Sequence, residues 1–137
     1  MPANLEPVQP GPVQPGPVPA VPAGPVRTGT TAGITTLTLD RPTRRNALSA
    51  TLIDGLRAGL ARAADDPDTR AVVLTHAGGT FCAGADLEEP PGAAELAALL
   101  REIVELSKPV VARVAGHVRA GGLGIVGACD IAVAGAG

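Results

Sequence analysis

The sequence predicts an α/β fold, with strands and helices alternating along the chain. Three observations carry this prediction. Beyond residue 26, short runs rich in Val, Ile, Leu and Thr alternate with longer stretches whose apolar residues recur at helical spacing. Two glycine-rich loops each follow an apolar run. Phe81 is the single aromatic residue in 137, so an interior must be built from Leu, Ile, Val and Ala packed closely, and 18 glycines permit that approach.

The first 26 residues stand apart. They repeat the unit PVQPG, at Pro7 to Gly11 and again at Pro12 to Gly16. Proline donates no main-chain hydrogen bond and drives its neighbours into extended conformations. Residues 1–26 therefore read as a disordered, Pro-rich tail, and residues 27–137 as the folded part. A solvated extension is favoured over a ligand for a proline-binding partner.

Ile34 to Leu39 is a β-branched run that reads as a strand, ended at Asp40-Arg41-Pro42. Ser49 is placed to cap a helix. Leu52, Ile53, Leu56 and Leu60 form its apolar stripe, and Asp65-Asp66-Pro67 stops it. Ala71 to Thr75 is a continuous apolar strand of the kind buried on both faces. A loop over His76 to Asp86 follows, then a helix from Ala94 to Leu106, a strand from Val110 to Val114, a glycine-rich stretch from Gly116 to Gly124, a short helix ending near Cys129, and a strand from Ile131 to Val133.

Composition excludes some functions. Eleven Lys and Arg against thirteen Asp and Glu give a net charge of -2, without the basic excess that binds nucleic acid. No apolar run approaches the roughly 18 residues of a membrane span, and no secretory leader pattern opens the sequence. Cys82 and Cys129 match no zinc spacing and are expected as reduced thiols in a cytoplasmic protein.

The chemistry sits in the two loops. Phe81-Cys82-Ala83-Gly84-Ala85-Asp86 follows a buried strand and has side chains small enough for the backbone to approach a ligand. In Lys108 to Asp130 a strand again enters a glycine-rich turn, and a helix leaves it with free N–H groups at its start. Two such loops on neighbouring strands can aim two N–H groups at one anionic oxygen.

These residues carry a family resemblance. Asp40-Arg41-Pro42 with Arg45-Asn46-Ala47-Leu48, Val73-Leu74-Thr75 with Phe81 to Leu87, and Lys108-Pro109-Val110 through Gly121-Gly122 to Ala128-Cys129-Asp130-Ile131 resemble, in order and spacing, motifs of the crotonase (enoyl-CoA hydratase/isomerase) family. The resemblance implies a spiral of ββα turns, assembled as trimers or hexamers. It implies an acyl-CoA substrate, neither metal nor redox cofactor, and an oxyanion hole formed by the N–H groups of Ala85 and Gly121. Arg45, Ala47, Ala83, Gly84, Asp86 and Leu87 would line the coenzyme A path.

The sequence also departs from that pattern. The family's first acid/base glutamate falls on Gly124, and the second would lie beyond Gly137. This raises an alternative, a truncated chain that binds coenzyme A weakly and does not hydrate. His117 has chemistry suited to proton transfer but reads as a loop residue satisfied by backbone or water. His76 replaces a usually small residue and reads as surface. Asp86 is expected to cap the following helix, Glu88 and Glu89 to be solvated first-turn charges, and Arg119 to be exposed. Gly122 to Gly127 formally matches GxGxxG, which leaves a dinucleotide-binding domain as a weaker rival.

Overall fold

A computed structural model of the chain describes residues 24–135. Seven strands and three α-helices follow one another there as repeated β-β-α turns. The first turn is β1 (Val26–Thr31), β2 (Ile34–Leu39) and α1 (Ala50–Asp65). The second is β3 (Ala71–His76), β4 (Thr80–Cys82) and α2 (Ala93–Glu105). The third is β5 (Val110–Val114), β6 (His117–Val118) and α3 (Gly121–Ala128), with β7 (Ile131–Ala134) following it.

The turns divide into two sheets. One has the order β1-β2-β3-β5-β7, with β1 antiparallel to β2 and every other pair parallel. The second strands of the later turns, β4 and β6, form a small parallel sheet of their own. Leu37, Leu39, Leu52, Ile53, Leu56, Leu60, Val72, Leu74, Phe81, Leu99, Ile103 and Ile125 fill the interior between sheets and helices. β7 is exposed along its whole length, with Ile131 and Val133 about half open to solvent.

The expected elements are present within a residue at either end except α3, which begins at Gly121, inside the stretch expected as a glycine-rich loop to Gly124; Ser49 caps α1 by accepting the Leu52 N–H at 3.0 Å. At the other end of α1, Lys108 Nζ donates to the carbonyls of Ala63 and Asp66, both at 2.7 Å, covering acceptors that the helix leaves open.

Three short strands are additions to the sequence reading. β1 begins at Val26, and the Asp40 N–H donates to the Pro25 carbonyl at 2.8 Å, so Val26 belongs to the sheet and Pro25 is bonded to its edge. Its Arg, Gly and Thr residues carry no apolar alternation, because most of the strand faces solvent. β4 and β6 are too short to show a period. The remainder of the expected tail, residues 1–23, lies outside the described residues.

Candidate active site

The segment after β2 sets the first wall. Pro42–Arg44 forms one 3-10 turn, and Arg45 and Asn46 follow with φ of 53° and 52°. Asn46 stabilises this unusual pair of left-handed residues. Its buried side chain accepts the Arg41 N–H at 2.7 Å and donates to the carbonyls of Ala77 and Thr80 at 3.1 and 2.8 Å.

The first loop then pairs with this segment. Ala83 N–H donates to the Arg45 carbonyl at 3.1 Å, Leu48 N–H to Gly84 at 2.7 Å, and Asp86 N–H to Leu48 at 2.8 Å. Leu48 thus spends both of its main-chain groups on the residues flanking Ala85, a parallel bridge between Leu48 and Ala85. In such a bridge the N–H of Ala85 points to the opposite side. Among the described residues it donates to no acceptor, and neither does the Gly121 N–H at the first position of α3.

Several contacts bring the second loop against the first. Arg119 N–H donates to the Cys82 carbonyl at 2.9 Å. Gly84, at φ 104°, leaves space that a side chain would lose to Ala120, whose Cβ would lie 3.2 Å away. Gly122 is closed off by Cys82, where a Cβ would meet the Cys82 Cβ at 2.7 Å. A Cβ on Gly121 would lie 2.8 Å from Leu48 Cδ1. Leu48 therefore borders both Ala85 and Gly121. Ala120 joins the loop to α3 at φ 48° and ψ −122°, a strained conformation for a residue with a Cβ.

Other expectations fare differently. Asp86 does not cap α2, whose N-cap is Gly92. Its buried carboxylate accepts the N–H groups of Glu88 (2.8 Å) and Glu89 (3.2 Å) and meets Arg44 at 3.2 Å. The Glu88 N–H, foremost, and then that of Glu89 and the Arg44 charge hold it below the ordinary carboxylate range against the opposing effect of desolvation. Glu88 and Glu89 precede α2 instead of forming its first turn: Glu88 pairs with Arg44 at 3.1 Å, and Glu89 accepts the Thr51 hydroxyl at 2.7 Å.

Ala47 is half-buried, while Arg45, Leu87, His117 and Arg119 are exposed. His76 is not a surface residue but half-buried, with Nε2 accepting the Ala115 N–H at 2.9 Å. A Cβ on Gly124 would contact Leu100 of α2 at 3.4 Å. The run Gly122 to Gly127 lies inside α3 and not in the strand-to-helix turn that a dinucleotide fingerprint requires, which removes that rival.

Cys82 and Cys129 are free thiols. Burial raises the pKa of both, that of Cys129 to about 11 with help from Asp130. A cleft of about 530 Å³ between α1 and the end of α2, lined by Leu60, Ala61, Ala64 and Leu106 together with the charged Arg57, Glu102 and Glu105, takes in no residue of the two glycine-rich loops. Among the described residues no helix is long and apolar enough to cross a membrane, and no three His, Cys, Asp or Glu side chains are grouped to hold a metal.

The segment Asn46 and Leu48, the strained Ala120 and the contact between Cys82 and Gly122 are parts of the site that the sequence reading did not assign. Asn46, Leu48, Cys82 and Gly122 were signalled by their place in the motifs, without the roles the structure gives them, and nothing in the sequence marked Ala120.

Comparison with known proteins bears on this arrangement. The family model described as enoyl-CoA hydratase/isomerase matches residues 29–137. An enoyl-CoA hydratase of Mycobacterium tuberculosis, EchA19, is 40% identical over 112 residues, covering 72% of this chain and 42% of its own. A 4-chlorobenzoyl coenzyme A dehalogenase of Arthrobacter is 36% identical over 116 residues, covering 75% of this chain and 42% of its own. The crystal structure of an enoyl-CoA hydratase from Mycobacterium avium superposes with a TM-score of 0.75 at 52% identity, over 82% of this chain and 47% of that one. The chain thus spans less than half the length of these relatives.

Proposed function

The chain belongs to the enoyl-CoA hydratase/isomerase family, and on that premise we propose that the N–H groups of Ala85 and Gly121 form an oxyanion hole for the carbonyl of an acyl-CoA thioester. The observation that carries this reading is the shared border at Leu48. One residue turns the Ala85 N–H outward through the parallel bridge and also packs against Gly121. Both N–H groups lack an internal acceptor among the described residues, and the strain at Ala120 orients the peptide that carries the second one.

Two fixed donors polarise the thioester carbonyl and stabilise the enolate that forms when a proton moves at the α-carbon. One such donor is typically worth about 10²–10³ in rate. In this reading Arg45, Ala47, Ala83, Gly84, Asp86 and Leu87, on or beside the two segments joined by the Leu48–Ala85 bridge, make up the coenzyme A path. Asp86 acts there through Arg44 and the Glu88 turn, holding the loop's shape, and not as a free base. The reading invokes no cofactor. It takes in a trimeric or hexameric assembly and a cytoplasmic location.

A second reading is favoured by Gly124. It presents no acid or base from α3, and its Cα faces Leu100. On this reading the chain holds the thioester, weakly at most, and does not hydrate it. His117, exposed on β6, takes no part in either reading.

The test is thermal unfolding with and without acetoacetyl-CoA, paired with an assay for loss of the conjugated thioester of crotonyl-CoA. Ligand at about 100 times Kd stabilises a native site by about 2.7 kcal/mol. A shift in midpoint that Gly121→Leu abolishes, with the variant still folded without ligand, supports the oxyanion hole. Turnover of crotonyl-CoA then selects the first reading, and binding without turnover selects the second. A cooperative transition that acetoacetyl-CoA leaves in place defeats both.

A further inference from the structure

The ladder between β3 and β5 is short. Main-chain pairing runs from Val72 opposite Val110 to Leu74 opposite Ala112 and ends there, although β3 stays paired with β2 as far as His76 and β5 with β7 as far as Val114. Two side chains at the end of β3 continue the link. Thr75 Oγ1 donates to the Arg113 carbonyl at 3.1 Å, and His76 Nε2 accepts the Ala115 N–H at 2.9 Å.

The acceptor role of Nε2 fixes the state of the ring. A nitrogen that accepts an N–H bond carries no proton, so the neutral imidazole has its proton on Nδ1. Nδ1 is buried and has no hydrogen-bond partner among the described residues. The ring stands edge-to-face with Phe81, centroids 5.4 Å apart at 73°. A residue there only to cover Phe81 needs no nitrogen, and Leu would do so without bringing an unpartnered polar atom inside. The advantage of His must lie at the other nitrogen.

Ala115 opens the turn that leads to Gly121. The turn runs close against the loop after β3. A Cβ on Gly116 would collide with the Gly79 carbonyl, and the His117 N–H donates to that carbonyl at 3.3 Å. Holding Ala115 therefore fixes where the segment enters this narrow path, and β6 and Ala120 follow from it.

We propose that His76 is a positioning residue: as the neutral Nδ1–H tautomer it anchors the Ala115 N–H and sets the course of residues 115–121, and with it the aim of the Gly121 N–H. Its consequence for binding rests on the oxyanion-hole reading; its geometry does not.

The experiment is NMR on the ¹⁵N-labelled full chain and three variants. His76→Leu removes the acceptor. His76→Asn keeps polarity but is too short to reach the Nε2 position. His76→Gln can place an oxygen there. Imidazole ¹⁵N shifts of the wild type are expected to report Nδ1–H. Amide exchange at Ala115 is expected to quicken about tenfold in the Leu and Asn variants and to return toward the wild-type rate in Gln, the change one hydrogen bond supports. Titration with acetoacetyl-CoA, followed at the Gly121 amide, is expected to show several-fold weaker binding in Leu and Asn and recovery in Gln, without a matching order in thermal midpoints. An Nε2–H tautomer, equal Ala115 exchange in all four proteins, or undiminished binding by a folded Leu or Asn variant overturns the proposal. If the wild type does not bind acetoacetyl-CoA, the oxyanion-hole reading fails, and the tautomer and Ala115 exchange still decide the anchoring role.

Discussion

Replacing Asn46 tests how the first wall of the site is held. The side chain is fully buried and makes three hydrogen bonds, accepting from Arg41 and donating to Ala77 and Thr80. A net value of about 1 kcal/mol for each bond gives about 3 kcal/mol for Asn46→Ala. Holding an alanine at φ 52° adds roughly another 1 kcal/mol, since Asn tolerates this region and Ala does not. A loss of about 4 kcal/mol is a large share of a typical domain's 5–15 kcal/mol. Urea unfolding at constant m-value measures it. Two further variants separate the contributions. Asn46→Gly removes the hydrogen bonds and relieves the φ constraint, so it should lose about 1 kcal/mol less than Ala. Asn46→Asp keeps an acceptor for Arg41 but sets a carboxylate oxygen against two carbonyls, and should be as harmful as Ala at neutral pH. A loss below about 1 kcal/mol for Ala, or an Asp variant as stable as the parent, would refute the reasoning that these three bonds hold the turn.

Two other outcomes follow. Because the folded Asp86 carboxyl titrates below its ordinary value, its contribution to stability is present above about pH 4 and disappears as pH falls through the lowered value; the unfolding midpoint should drop on acidification, and Asp86→Asn should flatten that drop while lowering the midpoint at neutral pH. Asp66, held low chiefly by the Asp68 N–H, and Glu102, held low chiefly by Arg57, keep part of the acid dependence in that variant. Lys108→Met removes two charge-assisted bonds to the last carbonyls of α1 and should cost about 2 kcal/mol, with faster amide exchange confined first to the end of that helix; unchanged exchange there would deny Lys108 a capping role.

The elements with a long period were legible in the sequence. α1 and α2 bury one stripe each, and β3, inside the sheet, has no exposed residue and shows as a continuous apolar run, so their patterns survive in composition. β1 was not legible, since an edge strand of Arg, Gly and Thr has little to bury. β4 and β6 span three and two residues, too few for an alternation to stand out, and only the pairing of two loops distant in sequence creates them. The same division holds in the site. The glycine loops and their motifs drew attention to Ala85 and Gly121, both of which border Leu48. His76 read as surface because its one hydrogen bond is to the backbone of a residue 39 positions away, a contact that no local pattern encodes.

The two-sheet arrangement also bears on how such a site tolerates change. The candidate donors follow β4 and β6, which lie side by side in one ladder although 35 residues separate Cys82 from His117. Neighbouring strands sit about 4.8 Å apart whatever the length of chain between them. Residues inserted at the Pro90–Pro91 step, beyond the Glu88 and Glu89 N–H groups that Asp86 holds, would lengthen the path from one donor to the other without lengthening the space. The covalent route and the working distance are thus decoupled, so the chain at this step can drift in length and composition while the spacing of the donors stays under the control of the hydrogen-bonded lattice.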